Sequence, residues 1–453
     1  MKPTRLGVSL AVPLMVAGLC FGAVYASRSE AAAPLGVATP IVDPGHKGLA
    51  RWFAALRRTA EKTPGATTRA LHYGDSTIAA DGLSRTVRSR LAARFGDGGP
   101  GFISASFNPK WSARVDVRSA RSGGWEWRTI LLGGASGRYG LGGVVGILAS
   151  GAKVGFSALG AASTSSNPPA KGTITPAVPQ RHFELWYQAG AGYGSVWASA
   201  DGAEILRTSA SAAATVDRRF IVDLPAAASQ FAFGASAGTV PVYGVVLETG
   251  QPGVTWEAQG VIGVGSKSFT TFAKDGLAAQ MVLRKPDLVV VMLGGNEAGY
   301  PALTANGGAG YLPIYEGALK TILAGSGGSS CLVMTPLDQG YFDTPPPAPA
   351  VEGASPEDVA AAAAVPVPKG PEKARPGMAN LVAMQARAAT NAGCAFWSSW
   401  AAMGGAGSAL TWAHTRGMGT GDLVHLSPLG LERIGNLLSD ALLNDYDAWS
   451  AGR

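Results

Sequence analysis

Residues 69–96 read RALHYGDSTIAADGLSRTVRSRLAARFG. Arg69–Tyr73 suits a short strand, and Gly74-Asp75-Ser76 makes a sharp polar turn. Leu83, Val87, Leu91 and Phe95 then recur at the spacing of one helix face, and Gly96 stands where a helix ends well. Strand, turn and helix in that order open an α/β unit. A serine on such a turn is exposed at the end of the strand, with its own N–H at a helix N-terminus, a position suited to a nucleophile whose product is an oxyanion.

The same pattern resumes from residue 243 onward. Phe269–Arg284 is expected to be a helix leading into Asp287–Leu293, whose unbroken LVVVML is what a parallel strand buried on both faces needs. Cys331–Met334 and Ala395–Trp397 supply further strands, with a helix over Ala379–Asn391 between them. Ser427 and Pro428 cap and start a last helix with Leu431, Ile434, Leu438 and Leu442 on its apolar face. Leu49, Phe53 and Leu56 fall at helical spacing upstream. Between Pro109 and Val242 helical periodicity vanishes. FELWYQ (183–188), SVWAS (195–199), RRFIVDL (218–224) and QFAFG (230–234) read as half-buried strands, with Phe183, Leu185 and Tyr187 alternating against Glu184 and Trp186.

The expected organisation is an α/β domain with a parallel sheet in three parts (47–108, 243–340 and 377–453), interrupted by a β-sandwich insert at 109–242. A Pro/Ala-rich low-complexity excursion occupies 341–376, and 27–46, with Pro34, Pro40 and Pro44, reads as a linker. Lys2 and Arg5 precede an uncharged run from Leu6 to Ser27. That order makes 1–26 a secretory signal ending near Val24-Tyr25-Ala26, or an uncleaved anchor, since about 20 apolar residues can span a bilayer. Either way the body of the protein is expected outside the cytoplasm: periplasm, cell envelope or extracellular space. Membrane contact is expected only through that anchor.

Composition narrows the function. Of 453 residues, 47% are hydrophobic and 15% charged, which excludes wholesale disorder. The net charge of +7 is scattered. Its densest stretch, Arg85, Arg88, Arg90 and Arg94, reads as the solvated side of one helix, with no interleaved aromatics, so no nucleic-acid partner is expected. Cys331 and Cys394 are explained equally well by a disulfide and by two buried thiols. CxxC, HExxH and calcium-loop patterns are missing, so neither metal nor cofactor is expected.

Two further segments join Ser76. Gly294-Gly295-Asn296-Glu297 follows the buried strand, where an Asn amide can donate to a developing oxyanion, an effect of roughly 3–4 kcal/mol in comparable sites. Asp422-Leu423-Val424-His425 precedes the last helix, and its spacing of three lets the carboxylate reach one imidazole nitrogen while the other faces a serine. Gly234-Ala235-Ser236-Ala237-Gly238 also matches GxSxG, but it leads into a strand instead of a helix.

Ser76, Asn296, Asp422 and His425, in that order, resemble the four blocks of the SGNH/GDSL hydrolases. The glycine block falls on Gly263 in QGVIGVGSKSF, read as following the strand VYGVVLE, with Gly260 as competitor. HYGDS, GDGGPGF (96–102), GGNEA, FWSSWAAMGGAGS (396–408) and GDLVHLSPLG are similar to the peptidoglycan O-acetylesterase branch. Glu297 stands where the superfamily usually has Asp, and 341–376 has no counterpart there. The resemblance implies a three-layer flavodoxin-like domain carrying a carbohydrate-binding-like insert. It implies a Ser76–His425–Asp422 triad, an oxyanion hole of Ser76, Gly263 and Asn296, and an O-acetylated polysaccharide as substrate. Transfer of acetyl to a glycan hydroxyl by the same triad, and glycan binding without catalysis, are the alternatives.

Overall fold

The computed structural model describes residues 35–105, 114, 116–131, 137–149, 171–273, 275–344 and 370–452. The signal or anchor at 1–26, the start of the linker and most of the Pro/Ala-rich excursion lie outside the described residues.

Five parallel strands form the central sheet: Thr67–Gly74, Gly253–Gly260, Leu288–Met292, Ser330–Met334 and Ala395–Trp397. The second lies outside the first and the others follow on its far side, so the spatial order is 2-1-3-4-5. In this flavodoxin-like order a ligand crevice opens beyond the carboxyl ends of strands 1 and 3, where the winding reverses. Leu288, Val290 and Met292 pack one way, against helices Ala50–Ala60, Gly82–Phe95 and Pro428–Ala451. Val289 and Val291 pack the other way, against helices Gly276–Arg284, Leu312–Leu323 and Met378–Ala392. Helices on both faces explain why this strand is apolar at every position.

The helix expected over Phe269–Arg284 is broken. A 3-10 turn, Ser266–Thr271, gives way to extended backbone at Phe272, and the α-helix starts only at Gly276. Ala273 N donates to Gly137 O at 2.7 Å, so the backbone there serves a neighbouring segment instead of a helix. The strand before Gly263 also differs. VYGVVLE belongs to Thr239–Glu248 in an antiparallel sheet, and Gly253–Gly260 is the parallel strand that leads to Gly263. Its Thr255, Glu257 and Gln259 give it a polar look, yet all three are buried. Thr255 donates to Glu257, Arg284 pairs with Glu257, and Gln259 donates to Phe102 O.

Two antiparallel sheets make up most of the chain between Gly101 and Glu248. One runs Val216–Ala228, Gln180–Ala189, Thr239–Glu248, Val144–Ala149, Trp125–Thr129, with Gly101–Ser104 also on Thr239–Glu248. The other runs Val117–Arg121, Lys171–Pro176, Phe231–Ala237, Ser195–Ala200, Ala203–Ser209. Phe183, Leu185, Tyr187, Val196, Ala198, Phe231 and Phe233 share one cluster between them. Glu184 and Trp186, which alternate with that set, are buried too, because the other face of that strand meets the parallel-sheet side: Trp186 stands edge-on to Phe102 at 5.6 Å. Gly234–Gly238 sits at a strand end leading into the next strand, as its neighbours implied.

A buried ionic cluster joins the parts. Glu248, from the antiparallel sheet, accepts from Arg69 Nε (2.8 Å) and from Arg284 Nη2 (2.8 Å), while Arg284 Nε donates to Glu257 at 3.0 Å. Elsewhere the basic helix is less solvated than its sequence suggested. Arg88 is buried against Asp81 at 2.8 Å, and Arg90 meets Asp440 of the last helix at 2.7 Å. Residues 35–46 dock on the sheet, Val42 exchanging backbone hydrogen bonds with Phe396. Cys331 and Cys394 form a disulfide.

Candidate active site

Ser76 begins a four-residue helical turn directly beyond the end of strand 1, at the crevice position of the sheet. Asp75 caps that turn, its Oδ1 accepting from Thr77 N at 2.9 Å. Asn296 follows strand 3, and Asp422 and His425 sit in the loop before the closing helix. The Ser76 hydroxyl donates to His425 Nε2 at 2.9 Å, and His425 Nδ1–H donates to Asp422 Oδ2 at 2.6 Å. The second bond fixes the tautomer that leaves Nε2 as an acceptor. Asp422 Oδ1 accepts from the backbone N–H groups of Val424 and His425, both at 2.9 Å, and from the Thr420 hydroxyl at 2.6 Å. Burial opposes the charge on Asp422, but these donors outweigh it and hold the carboxyl well below the usual range.

The loop itself is closed by Thr420 N donating to His425 O at 3.0 Å. It also needs Leu423 at φ +63°, an uncommon conformation for a side chain of that size. Leu423 is buried, and its carbonyl accepts from Gly340 N at 2.7 Å, so tertiary contacts hold it there.

The glycine loop lies between the serine turn and the asparagine. Val261 N donates to Gly74 O at 3.0 Å, and Asn296 Nδ2 donates to Val264 O at 2.8 Å. The Asn296 amide is thereby fixed with its second N–H still available. Gly263 has φ +80°, in the region that favours glycine. Gly260 serves a different need: a Cβ there would lie 2.1 Å from Ala79 N, so only glycine lets strand 2 pass against the turn that carries Ser76. Leu131, from the antiparallel part, reaches to 3.3 Å from where a Gly263 Cβ would be. The crevice therefore gathers Ser76, Asn296, Asp422, His425 and the Gly263 loop.

Other candidates fall away from it. His72 is core, edge-on to Trp256 at 5.6 Å, and burial pushes its pKa down to about 3. Trp412 is buried and donates to Met403 O at 3.0 Å. His414 pairs with Glu372 and His46 with Asp445. Four contributors carried no sequence signal. Thr420 closes the Asp422–His425 loop locally, Leu423 and Leu131 act through tertiary contacts, and Gln339 donates to Gly295 O at 2.9 Å. Asp75 is buried near Glu297; burial first, and that neighbour's charge second, push its carboxyl up to about 6 against the pull of its hydrogen bond from Thr77.

No protein-family model and no curated protein matches the chain. Among solved structures, a peptidoglycan O-acetylesterase aligns over 90% of this chain and 99% of its own, with a TM-score of 0.68 at 20% identity. A catalytic mutant of an acetylxylan esterase from Geobacillus stearothermophilus aligns over 43% of this chain and 73% of its own (TM-score 0.25, 19% identity). A family two carbohydrate esterase from Cellvibrio japonicus aligns over 73% and 99% (TM-score 0.25, 10% identity). The fold likeness rests on the first of these. The chain thus has the fold of a peptidoglycan O-acetylesterase and resembles the SGNH/GDSL hydrolases in that fold and in the order of its sequence blocks.

Proposed function

We propose that this protein is an exported serine esterase that removes O-acetyl groups from a polysaccharide, peptidoglycan or a similar cell-wall glycan. The observation that carries the reading is the hydrogen-bonded line from Ser76 through His425 to Asp422 at the carboxyl end of strand 1. In the proposed reaction His425 Nε2 takes the Ser76 proton as Oγ bonds to the acetyl carbonyl carbon. Asp422, ionised, stabilises the imidazolium. The oxyanion is held by the N–H groups of Ser76 and Gly263 and the remaining Asn296 N–H. Collapse breaks the ester bond, and His425 returns the proton to the departing sugar oxygen. Water then gives a proton to His425 and attacks the acetyl-enzyme, releasing acetate and restoring Ser76.

The side chains of His425 and Asp422 are 45% and 49% exposed, which favours water over a second sugar as the acceptor and hence hydrolysis over transfer. Export is supported by the N-terminal sequence pattern and by the Cys331–Cys394 disulfide, since such bonds persist outside the reducing cytosol. The shared core of the two antiparallel sheets supports the reading of 109–242 as an inserted β-sandwich that presents glycan to the site.

Acetate release from O-acetylated peptidoglycan and acetylated xylan, by wild type and Ser76→Ala, tests the reading. Release that disappears in the variant supports it, and the preferred polymer narrows the substrate. No release above the variant from folded protein overturns it.

A further inference from the structure

Two short strands, Gly340–Phe342 and Glu372–Ala374, pair antiparallel beside the crevice. Gly340 N donates to Leu423 O, inside the Asp422–His425 loop. Arg375 N donates at 2.8 Å to the carbonyl of Gln339, whose side chain bonds Gly295 next to Asn296. Arg375 therefore stands between the loop that carries His425 and the turn that carries Asn296. Its Nη2 donates to Gly340 O at 3.2 Å, and its Nη1 lies 3.5 Å from where a Cβ on Gly299 would be. The guanidinium lies 5.8 Å from the centre of the Tyr341 ring.

The Nε of Arg375 is buried without a hydrogen-bond partner, and among the described residues no carboxylate pairs with it. The carboxylates of its own hairpin are engaged elsewhere, Asp343 with Lys373 and Glu372 with His414. Burial of an unpaired charge is costly, and here it lowers the guanidinium's pKa. The planar fork of an arginine matches a carboxylate through two parallel hydrogen bonds. Gly299, having no side chain, leaves Nη1 uncovered on the side of the exposed Asn296 turn.

We propose that Arg375 binds a carboxylate carried by the glycan near its O-acetyl group, so that the protein selects acidic over neutral acetylated glycans. This rests on the glycan-esterase reading above and names the chemistry that the substrate must carry. Arg375 is a binding residue here; no step of the reaction passes through it.

The test measures kcat and KM for wild type, Arg375→Ala and Arg375→Lys on O-acetylated peptidoglycan, on the same polymer with its carboxylates amidated, and on p-nitrophenyl acetate. Ser76→Ala is the background. The readout is the ratio of kcat/KM on the acidic polymer to that on p-nitrophenyl acetate, which also controls for folding. Arg375→Ala is expected to lower that ratio about 10- to 100-fold, mostly through KM, with Arg375→Lys recovering part. Amidation should cost the wild type a similar factor and Arg375→Ala almost nothing. An unchanged ratio in Arg375→Ala overturns the proposal, as does a wild type indifferent to amidation while it still releases acetate. A wild type that cleaves p-nitrophenyl acetate but neither polymer overturns the glycan-esterase reading itself, and this proposal with it.

Discussion

The Ser76 hydroxyl and the His425 imidazole lie 2.9 Å apart although 349 positions separate them in the chain. The sheet brings them together: Ser76 leaves the end of strand 1, and His425 sits in the loop before the last helix, which packs beside the Gly82–Phe95 helix that follows Ser76. The approach of Ser76 to His425 is thus set by helix–helix packing on one face of the sheet. Leu431, Ile434, Leu438 and Leu442 share that cluster with Leu83, Val87 and Leu91.

Asp422 and Thr420 should separate in their effects. Asp422→Asn removes the charge and the acceptor that fixes the His425 tautomer, and kcat should fall about 10⁴-fold, as in other triads. Thr420→Val removes one donor from a carboxylate that keeps two backbone donors, so kcat should fall only about 3- to 30-fold with KM little changed. Steady-state kinetics on a small acetate ester checks both. Equal losses in the two variants would contradict the roles given to these side chains.

Ser76, Asn296, Asp422 and His425, which the structure brings to one crevice, were legible as candidates because each lies at the junction of an apolar strand or helix with a short polar turn, and because Asp422 and His425 are near neighbours in sequence. Legibility ended where polar side chains are neutralised by distant partners. Thr255, Glu257 and Gln259 disguised a core strand, since Arg284 and the Phe102 carbonyl lie far along the chain. Glu184 and Arg88 misled in the same way, one meeting Arg219 35 positions away, the other donating to Trp256 O 168 positions away. The positive φ of Leu423 has no local signature either, because its cause is the contact with Gly340.

Gly260→Ala tests the close approach of strand 2 to the serine turn. Its Cβ would meet the backbone atom Ala79 N at 2.1 Å, with no flexible side chain to yield. Destabilisation of about 3 kcal/mol is expected, together with loss of activity as the Ser76 turn shifts. A melting temperature and activity equal to the wild type would show that the turn tolerates displacement.

Glu248→Gln tests the ionic cluster that joins the antiparallel and parallel sheets. It leaves Arg69 without a carboxylate and Arg284 with Glu257 alone, at an expected cost of about 3–5 kcal/mol in denaturant unfolding at neutral pH. Burial alone would raise the Glu248 carboxyl, but the two guanidinium groups hold it far below the ordinary carboxylate range. Its contribution is therefore present above the unfolded-state value and fades as pH falls toward the folded one. Wild type and variant should converge in acid, and a constant gap across pH would contradict this.

Asp75 carries the opposite sign. Burial raises its carboxyl to about 6 in the folded protein, above the roughly 3.9 of an unfolded chain, so ionisation is the costly state when folded. Below about pH 4 the group is neutral in both states and nothing is lost. Between about pH 4 and 6 the penalty grows, and above that it stands at up to about 3 kcal/mol. Asp75→Asn keeps an acceptor for Thr77 N and cannot ionise. The variant should be more stable than the wild type at pH 8 and equal to it at pH 4, read from urea midpoints at the two values. A wild type that is the more stable at pH 8 would mean that the ionised carboxylate is held by donors beyond Thr77, and that its burial beside Ser76 carries no cost.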